Sequence, residues 1–236
     1  MRNAPLPRDF YARGALDLAP ALLGKLLCHA APEGFAAGVI VETEAYCGAA
    51  DDGAHSFGAR RTARTEIQYG EGGYAYVFSI YGMHCCFNAV CGAPGEPEVV
   101  LVRALEPVEG LPLMAERRGT QDVPLLCSGP GRLCRALGIT RAQYGLDLCE
   151  GPLYIAEHAA IAPEHIAVSP RKRGSSYRCA GWWGSRCISP AAAPVWTPSG
   201  PGSRSWAKSP PSRATSQTIS TRSPSPNRTP GSASTR

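Results

Sequence analysis

Hydrophobic positions change their spacing several times within the first 170 residues, and each change predicts an element. Residues 17–29, DLAPALLGKLLCH, space their leucines for a short helix that ends at Gly24 and feeds an apolar strand from Lys25 to His29. From Gly38 to Tyr46, GVIVETEAY alternates with a period of two. That puts Ile40, Glu42, Glu44 and Tyr46 on one face, and Val39, Val41, Thr43 and Ala45 on the other. Residues 47–73 show no period, carry several glycines and are long for a connection, which marks a functional loop. An aromatic strand, Tyr74 to Tyr81, then turns or bulges at Gly82, and Met83 to Val90 pairs back or continues. Strand EVVLVRAL (98–105) is apolar except for Arg103. Helices are predicted over 110–119 and 128–140, the second with Ser128 as N-cap and Gly138 as its stop, and GPLYIAE (151–157) closes with a strand. Strands outnumber helices, they do not alternate regularly, and no dinucleotide or P-loop fingerprint occurs. The pattern predicts a single α+β domain with a curved, mainly antiparallel, open-barrel-like sheet and peripheral helices.

Charge divides the chain in two. The net charge is +5, yet 11 of the 24 Lys and Arg residues and none of the 19 Asp and Glu lie in 171–236. Residues 1–170 therefore form an acidic body of net −6. The stretch 171–236 is rich in Ser, Pro and Arg, a composition expected to be disordered. No run approaches the roughly 18 apolar residues of a membrane span, and no basic segment followed by an apolar run opens the chain. The expectation is a soluble cytoplasmic protein whose ten cysteines are free thiols. Cys85, Cys86 and Cys91 beside His84 invite a metal reading, but neighbouring strand residues point to opposite faces and no Cys-x-x-Cys pair is present, so no metal or cofactor is expected.

Glu42 and Glu44 on one strand face, with Arg103 on another strand, offer a general base and a cation to hold it. The plain alternative is a solvated strand face. His55 in the irregular loop is either a hydrogen-bonding group for a ligand or a turn cap. Tyr74, Tyr76 and Phe78 share a strand face, as core or as a stacking platform, whereas Tyr81 points oppositely unless the Gly82 turn reorients it.

Six motifs in order, LAPALLGKLL, IVETEAY, DDGAHSFGARRTAR, YAYVFSIYGMHCCFN, VVLVRALEP and LCSGPGRLCRALGI, make residues 18–155 resemble the alkyladenine or 3-methyladenine DNA glycosylases. The resemblance implies a monomeric base-excision-repair enzyme acting on damaged purines in double-stranded DNA, near the nucleoid. It matches Glu44 to the base that activates water against C1′ of a flipped nucleotide, and Arg103 to the residue holding that carboxylate. Tyr46, His55 and Phe78 match positions lining the base pocket, and Asn88 matches the residue that disfavours the exocyclic amino group of guanine. Tyr81 matches the side chain pushed into the duplex, and Met83 belongs with these DNA-contacting residues. Flipping costs a few kcal/mol, least for a damaged base.

Two positions depart from the family pattern. Phe78 stands where Tyr is usual, and Thr65 closes Thr-Ala-Arg-Thr where Thr-x-Arg-Asn is usual, which weakens the expected anchoring of that loop. After Pro170 the resemblance stops, and the tail reads as an out-of-frame translation of a GC-rich gene that would leave a sheet edge unpaired. An acidic body that binds DNA must concentrate its cations; Arg60, Arg61, Arg64, Arg132, Arg135 and Arg141 are candidates for a stripe giving salt-dependent binding. With one lysine in the body, Lys25, hydrolysis without strand cleavage is expected. The competing readings are a non-catalytic lesion binder and a small-molecule hydrolase.

Overall fold

The structure is a computed structural model that describes residues 3–170 and 186–190. Helix α1 (Ala15–Leu22) buries Ala15, Leu18, Ala19 and Leu22, the stripe its spacing dictates. It leads through Gly24 into β1 (Leu26–Ala31), β2 (Gly34–Tyr46), β3 (Ala75–Ile80), β4 (His84–Cys91) and β5 (Glu98–Glu109). Helices α2 (Leu111–Arg118), α3 (Val123–Leu126) and α4 (Pro130–Leu137) follow, then β6 (Leu153–Ala156), β7 (Ile166–Pro170) and β8 (Arg186–Pro190). The main sheet runs β3-β4-β5-β2-β1-β6, with antiparallel neighbours throughout. It is a curved antiparallel sheet with peripheral helices in one α+β domain, as the periods predict.

Several local expectations change. The phase of β2 is not continuous: its register against β5 slips between Ile40 and Glu42 and recovers by Thr43, so Val41 and Arg103 fall out of the pairing. Both strands change alternation phase there. Ile40 and Leu105 enter the core on one side of the slip, and Ala45, Val100 and Val102 on the other. Ile40 therefore does not share a face with Glu42, Glu44 and Tyr46. Helix α4 is capped by Gly129, not Ser128, whose hydroxyl accepts from Arg132 Nη1 at 2.8 Å. Gly138, at φ 72°, stops the helix as expected. Strand β5 runs on through Pro107, tolerated because the register is also irregular at Ala37/Gly38. It ends at Gly110 (φ 77°), where a Cβ would lie 2.3 Å from the Phe35 carbonyl oxygen. The four-residue α3 carries too short a pattern to be read from sequence.

Strand 153–156 does not close the sheet. Beyond it β8 pairs with β2 at Thr43 and Glu44 and with β7 along its length. Five residues of the stretch expected to be disordered thus form a strand beside β2; the remaining expectations for 171–236 lie outside the described residues.

The core fills the space between the sheet and the helices. Phe87 on β4, Leu133 and Leu137 on α4, Met114 on α2, and Leu18 and Leu22 on α1 are essentially inaccessible. A buried imidazole, His29, ties β1 to the end of α4 through a 2.8 Å contact from Nδ1 to the Leu137 carbonyl, so Nδ1 carries the proton. Burial lowers its pKa, against the opposing effect of that hydrogen bond. On the other face, Tyr76, Val90 and Val99 form a second cluster beneath Tyr46, Tyr74 and Phe78. Strand β4 is thus covered on both sides. Removing the Phe87 ring leaves a void between sheet and helix, so Phe87→Ala is expected to lose about 3–5 kcal/mol of stability in urea unfolding. A loss below about 1 kcal/mol contradicts this packing.

Candidate active site

The slip in β2 and β5 builds the charged centre. Arg103, freed from the pairing, donates from Nε to Glu42 Oε1 at 2.8 Å and from Nη1 to Glu44 Oε2 at 2.6 Å. The other Glu44 oxygen accepts from the Tyr46 hydroxyl at 2.8 Å. Glu44 is 2% exposed, whereas the Glu42 side chain and Arg103 are about one-third open. The two carboxylates are not equivalent. Glu42 is an outer partner that orients the shared guanidinium, and Glu44 is the buried acceptor, held from one side by Arg103 and from the other by Tyr46. A charge-assisted pair with this geometry offsets the cost of burying a carboxylate.

Tyr46 links that centre to a cavity. A space of about 50 Å³ is lined by Tyr46, Gly53, Ala54, His55, Gln68, Tyr76, Phe78, Asn88 and Val99. Tyr46, His55, Phe78 and Asn88, spread over 43 positions of sequence, are brought together around one cavity. Asn88 is 1% exposed and donates from Nδ2 to the Tyr76 carbonyl at 3.0 Å, which fixes its amide. His55 packs edge-on to Phe78, with ring centres 4.6 Å apart. Arg64 Nη2 lies 2.8 Å from Nε2 and 3.3 Å from Nδ1; with the shorter contact taken as the hydrogen bond, Nε2 accepts from the guanidinium and Nδ1 holds the proton. Nδ1 then donates to the Tyr76 hydroxyl at 2.7 Å. Packing of the ring against Tyr76 and Phe78, and secondly the Arg64 charge, lower His55 to about 4. His55 is a neutral hydrogen-bonding group, not a cap.

A larger cavity of about 380 Å³ adjoins the first and shares Ala54 and His55 with it; Asp52, Phe57, Arg60, Thr62, Arg64 and Thr65 complete its lining. Thr65 holds this loop in place. Its buried hydroxyl accepts from the Thr62 amide at 2.9 Å and donates to the Arg60 carbonyl at 3.1 Å, and the Tyr144 hydroxyl reaches the Ala63 carbonyl at 3.2 Å. Thr65 therefore anchors the segment that its departure from the family pattern was expected to loosen. Three-ten turns at Gly48–Ala50, Phe57–Ala59 and Glu66–Tyr69 order the long connection, which has no period to betray them. Gln68, 1% exposed on the last of these turns, is a lining residue that sequence reasoning missed; a polar residue in an aperiodic loop gives no burial signal.

Tyr81 and Met83 line neither cavity. They crown the β3–β4 hairpin, 83% and 78% exposed. Tyr81 (φ 51°) and Gly82 (φ 72°) both take the left-handed conformation that suits a tight hairpin, so the turn, not strand alternation, aims Tyr81. Four of the six arginines of the expected stripe make contacts nearby, and in one of them, Arg61, the charge is paired with a carboxylate. Arg61 pairs with Glu66 at 2.6 Å, Arg132 donates to Ser128, Arg135 donates to the Arg117 carbonyl at 2.6 Å, and Arg64 turns to His55. The eight cysteines from Cys28 to Cys149 form no disulfide with one another. Among the described residues no three His, Cys, Asp or Glu side chains converge on a possible metal position, and no helix is long and apolar enough to cross a membrane.

A carboxylate held by arginine and joined through a tyrosine hydroxyl to an aromatic slot defines a site for polar chemistry on a planar ring. The chain belongs to the methylpurine-DNA glycosylase family, whose model matches residues 9–173. It is 48% identical over 167 residues to a protein of Bacillus subtilis (strain 168), covering 71% of this chain and 84% of the relative. It is 45% identical over 176 residues to one of Desulfitobacterium hafniense (strain Y51), covering 71% and 85%. A protein of Methanoculleus marisnigri is 48% identical over 169 residues, covering 70% and 86%. All three bear the name "Putative 3-methyladenine DNA glycosylase".

The assigned state of His55 is directly measurable. Two-dimensional NMR of the imidazole is expected to show a neutral ring, protonated at Nδ1, from pH 7 down to about pH 4. Protonation with a midpoint above pH 6 contradicts the hydrogen-bond assignment.

Proposed function

We propose that the protein is a monofunctional DNA glycosylase that hydrolyses the N-glycosidic bond of alkylated or deaminated purines, such as 3-methyladenine, in duplex DNA. The observation that carries the reading is the buried Glu44, held by Arg103 and joined through Tyr46 to the aromatic cavity. In this reading the damaged nucleotide swings out of the stack, and its base stacks on Tyr46 and Phe78. Glu44 removes a proton from water as the water attacks C1′; the electron pair of the glycosidic bond leaves with the base. A cationic N-alkylated purine leaves as a neutral base and needs no acid. Arg103 keeps the carboxylate oriented, Asn88 disfavours a guanine amino group, and Tyr81 with Met83 fills the vacated place in the duplex. The exposed hairpin tip supports the last role, since two large apolar side chains open to solvent have no packing reason to be there.

Hydrolysis, rather than attack by an amine, is supported by the state of Lys25. The only lysine of the first 170 residues is 7% exposed, its ammonium lies 2.5 Å from Glu157 and 3.3 Å from the Ala159 carbonyl, and it lines neither cavity. In this reading the protein acts as a monomer on chromosomal DNA. Excision from a duplex carrying a single lesion tests it. Glu44→Gln is expected to lower single-turnover release by about 10²–10⁴-fold while lesion-duplex binding is retained. Tyr81→Ala is expected to weaken lesion binding with little effect on stability. Tight binding by the wild type without any release would make it a lesion binder instead.

A further inference from the structure

The inner cavity raises a problem of size. About 50 Å³ accommodates waters, not a purine, and ligand pockets start near roughly 300 Å³. The adjoining 380 Å³ space is large enough; Ala54 and His55 are common to both, and Arg64, on the outer side, reaches across to His55 and Phe78 of the inner cavity. Its guanidinium carbon lies 5.1 Å from the Phe78 ring centre, over the ring, while Nη2 donates to His55 Nε2 at 2.8 Å. The group parked there is planar, delocalised, cationic and a hydrogen-bond donor. Those are the properties of an N-alkylated purine.

Resting on the glycosylase reading, we propose that Arg64 is an internal competitor of the base: its guanidinium occupies the Phe78 face and the His55 acceptor in the free protein, and a base enters only by displacing it. Three features place this beyond simple surface packing. Arg64 has Glu66 near in sequence, yet Glu66 takes Arg61 in a two-pronged pair at 2.9 and 2.6 Å, and the exposed Arg64 turns its guanidinium to His55 and Phe78 instead. The loop carrying Arg64 is pinned on either side, by Thr65 and by the Tyr144 hydroxyl, so the side chain can swing without moving the backbone. The displaced cation has somewhere to go, because the outer cavity opens to solvent beside Arg60, where an incoming DNA backbone would meet both arginines. Displacement thus couples base entry to the approach of the phosphates. A base that stacks weakly does not dislodge the guanidinium, which makes Arg64 a specificity-determining residue.

Free base, without DNA, isolates the competition from any phosphate contact. Calorimetric titration of the full chain with hypoxanthine is expected to show about tenfold tighter binding by Arg64→Ala than by wild type, the ratio for a pocket blocked about nine-tenths of the time. Arg64→Lys, which keeps the charge and loses the planar stack, falls between them. Millimolar methylguanidinium is expected to compete with hypoxanthine in Arg64→Ala and not in wild type, a signature that a merely structural role for Arg64 does not produce. Binding that is unchanged, weaker or absent in Arg64→Ala, or a failure of methylguanidinium to compete there, overturns the proposal. Excision assayed beside these titrations separates the two readings: absence of excision in wild type with the tenfold difference intact removes the glycosylase and leaves the displacement.

Discussion

Burying Glu44 is the constraint around which the rest of the molecule is arranged. An isolated carboxylate in a low-dielectric interior costs several kcal/mol even after relaxation, so a fold that buries one must supply donors on the same spot. Regular β pairing cannot do so here. With unbroken alternation, the residues at 103 and 42 would stand opposite each other, and the guanidinium would serve one carboxylate. The local slip takes Arg103 and Val41 out of the ladder, and the long side chain then spans both Glu42 and Glu44. Irregularities of this kind recur beside functional sites because they re-aim one side chain without disturbing the strand beyond. Two features keep the slip in place. Thr43 is anchored by its hydroxyl to the Ala19 carbonyl of α1 at 2.9 Å, and the apolar side chains on either side of the slip face the same core.

The sequence discloses elements better than it discloses these exceptions. Alternation in GVIVETEAY and in YAYVFSIY is enough to give two strands, to put both carboxylates on one face and to gather Tyr74, Tyr76 and Phe78. That is because burial on one side of a sheet writes itself into every second residue. The slip at Glu42 is not legible, since a change of phase in two strands at once leaves each half looking regular. Alternation alone therefore puts Ile40 on the wrong face. Ser128 looks like the better cap, but Gly129 alone tolerates a φ of 154°, and the serine hydroxyl finds an arginine instead. In the loop, Gln68 and Arg64 are ordinary polar letters; only the fold reveals that one is buried and the other reaches across a ring. Identity of individual site residues came from ordered motifs rather than from period. Glu44, Arg103, Tyr46, His55, Phe78 and Asn88 are drawn from five separate segments, and no single-segment pattern assembles them.

Aromatic packing and charge act in opposite directions at His55, and the balance sets the character of the pocket. Packing against Tyr76 and Phe78 disfavours a charged imidazole, and the neighbouring guanidinium disfavours it further. The ring therefore presents an acceptor toward the space where a planar cation can sit. Had the imidazole been charged, it would repel Arg64 and an alkylated purine alike, and Phe78 would be left to hold either by its face alone. Phe78 heightens that dependence. Lacking a hydroxyl, it offers only a π surface, so the polar contacts beside it come from neighbours such as His55, whose ring is held between Arg64 and Tyr76. The chain of donors runs from Arg64 through His55 to Tyr76, while a separate one runs from Arg103 through Glu44 to Tyr46. Under the proposed function, one arranges what the slot accepts and the other the oxygen that acts on it. Since Tyr46 lines the same cavity as His55, the two meet only there, and a planar ring in the slot is what brings them to bear on one molecule.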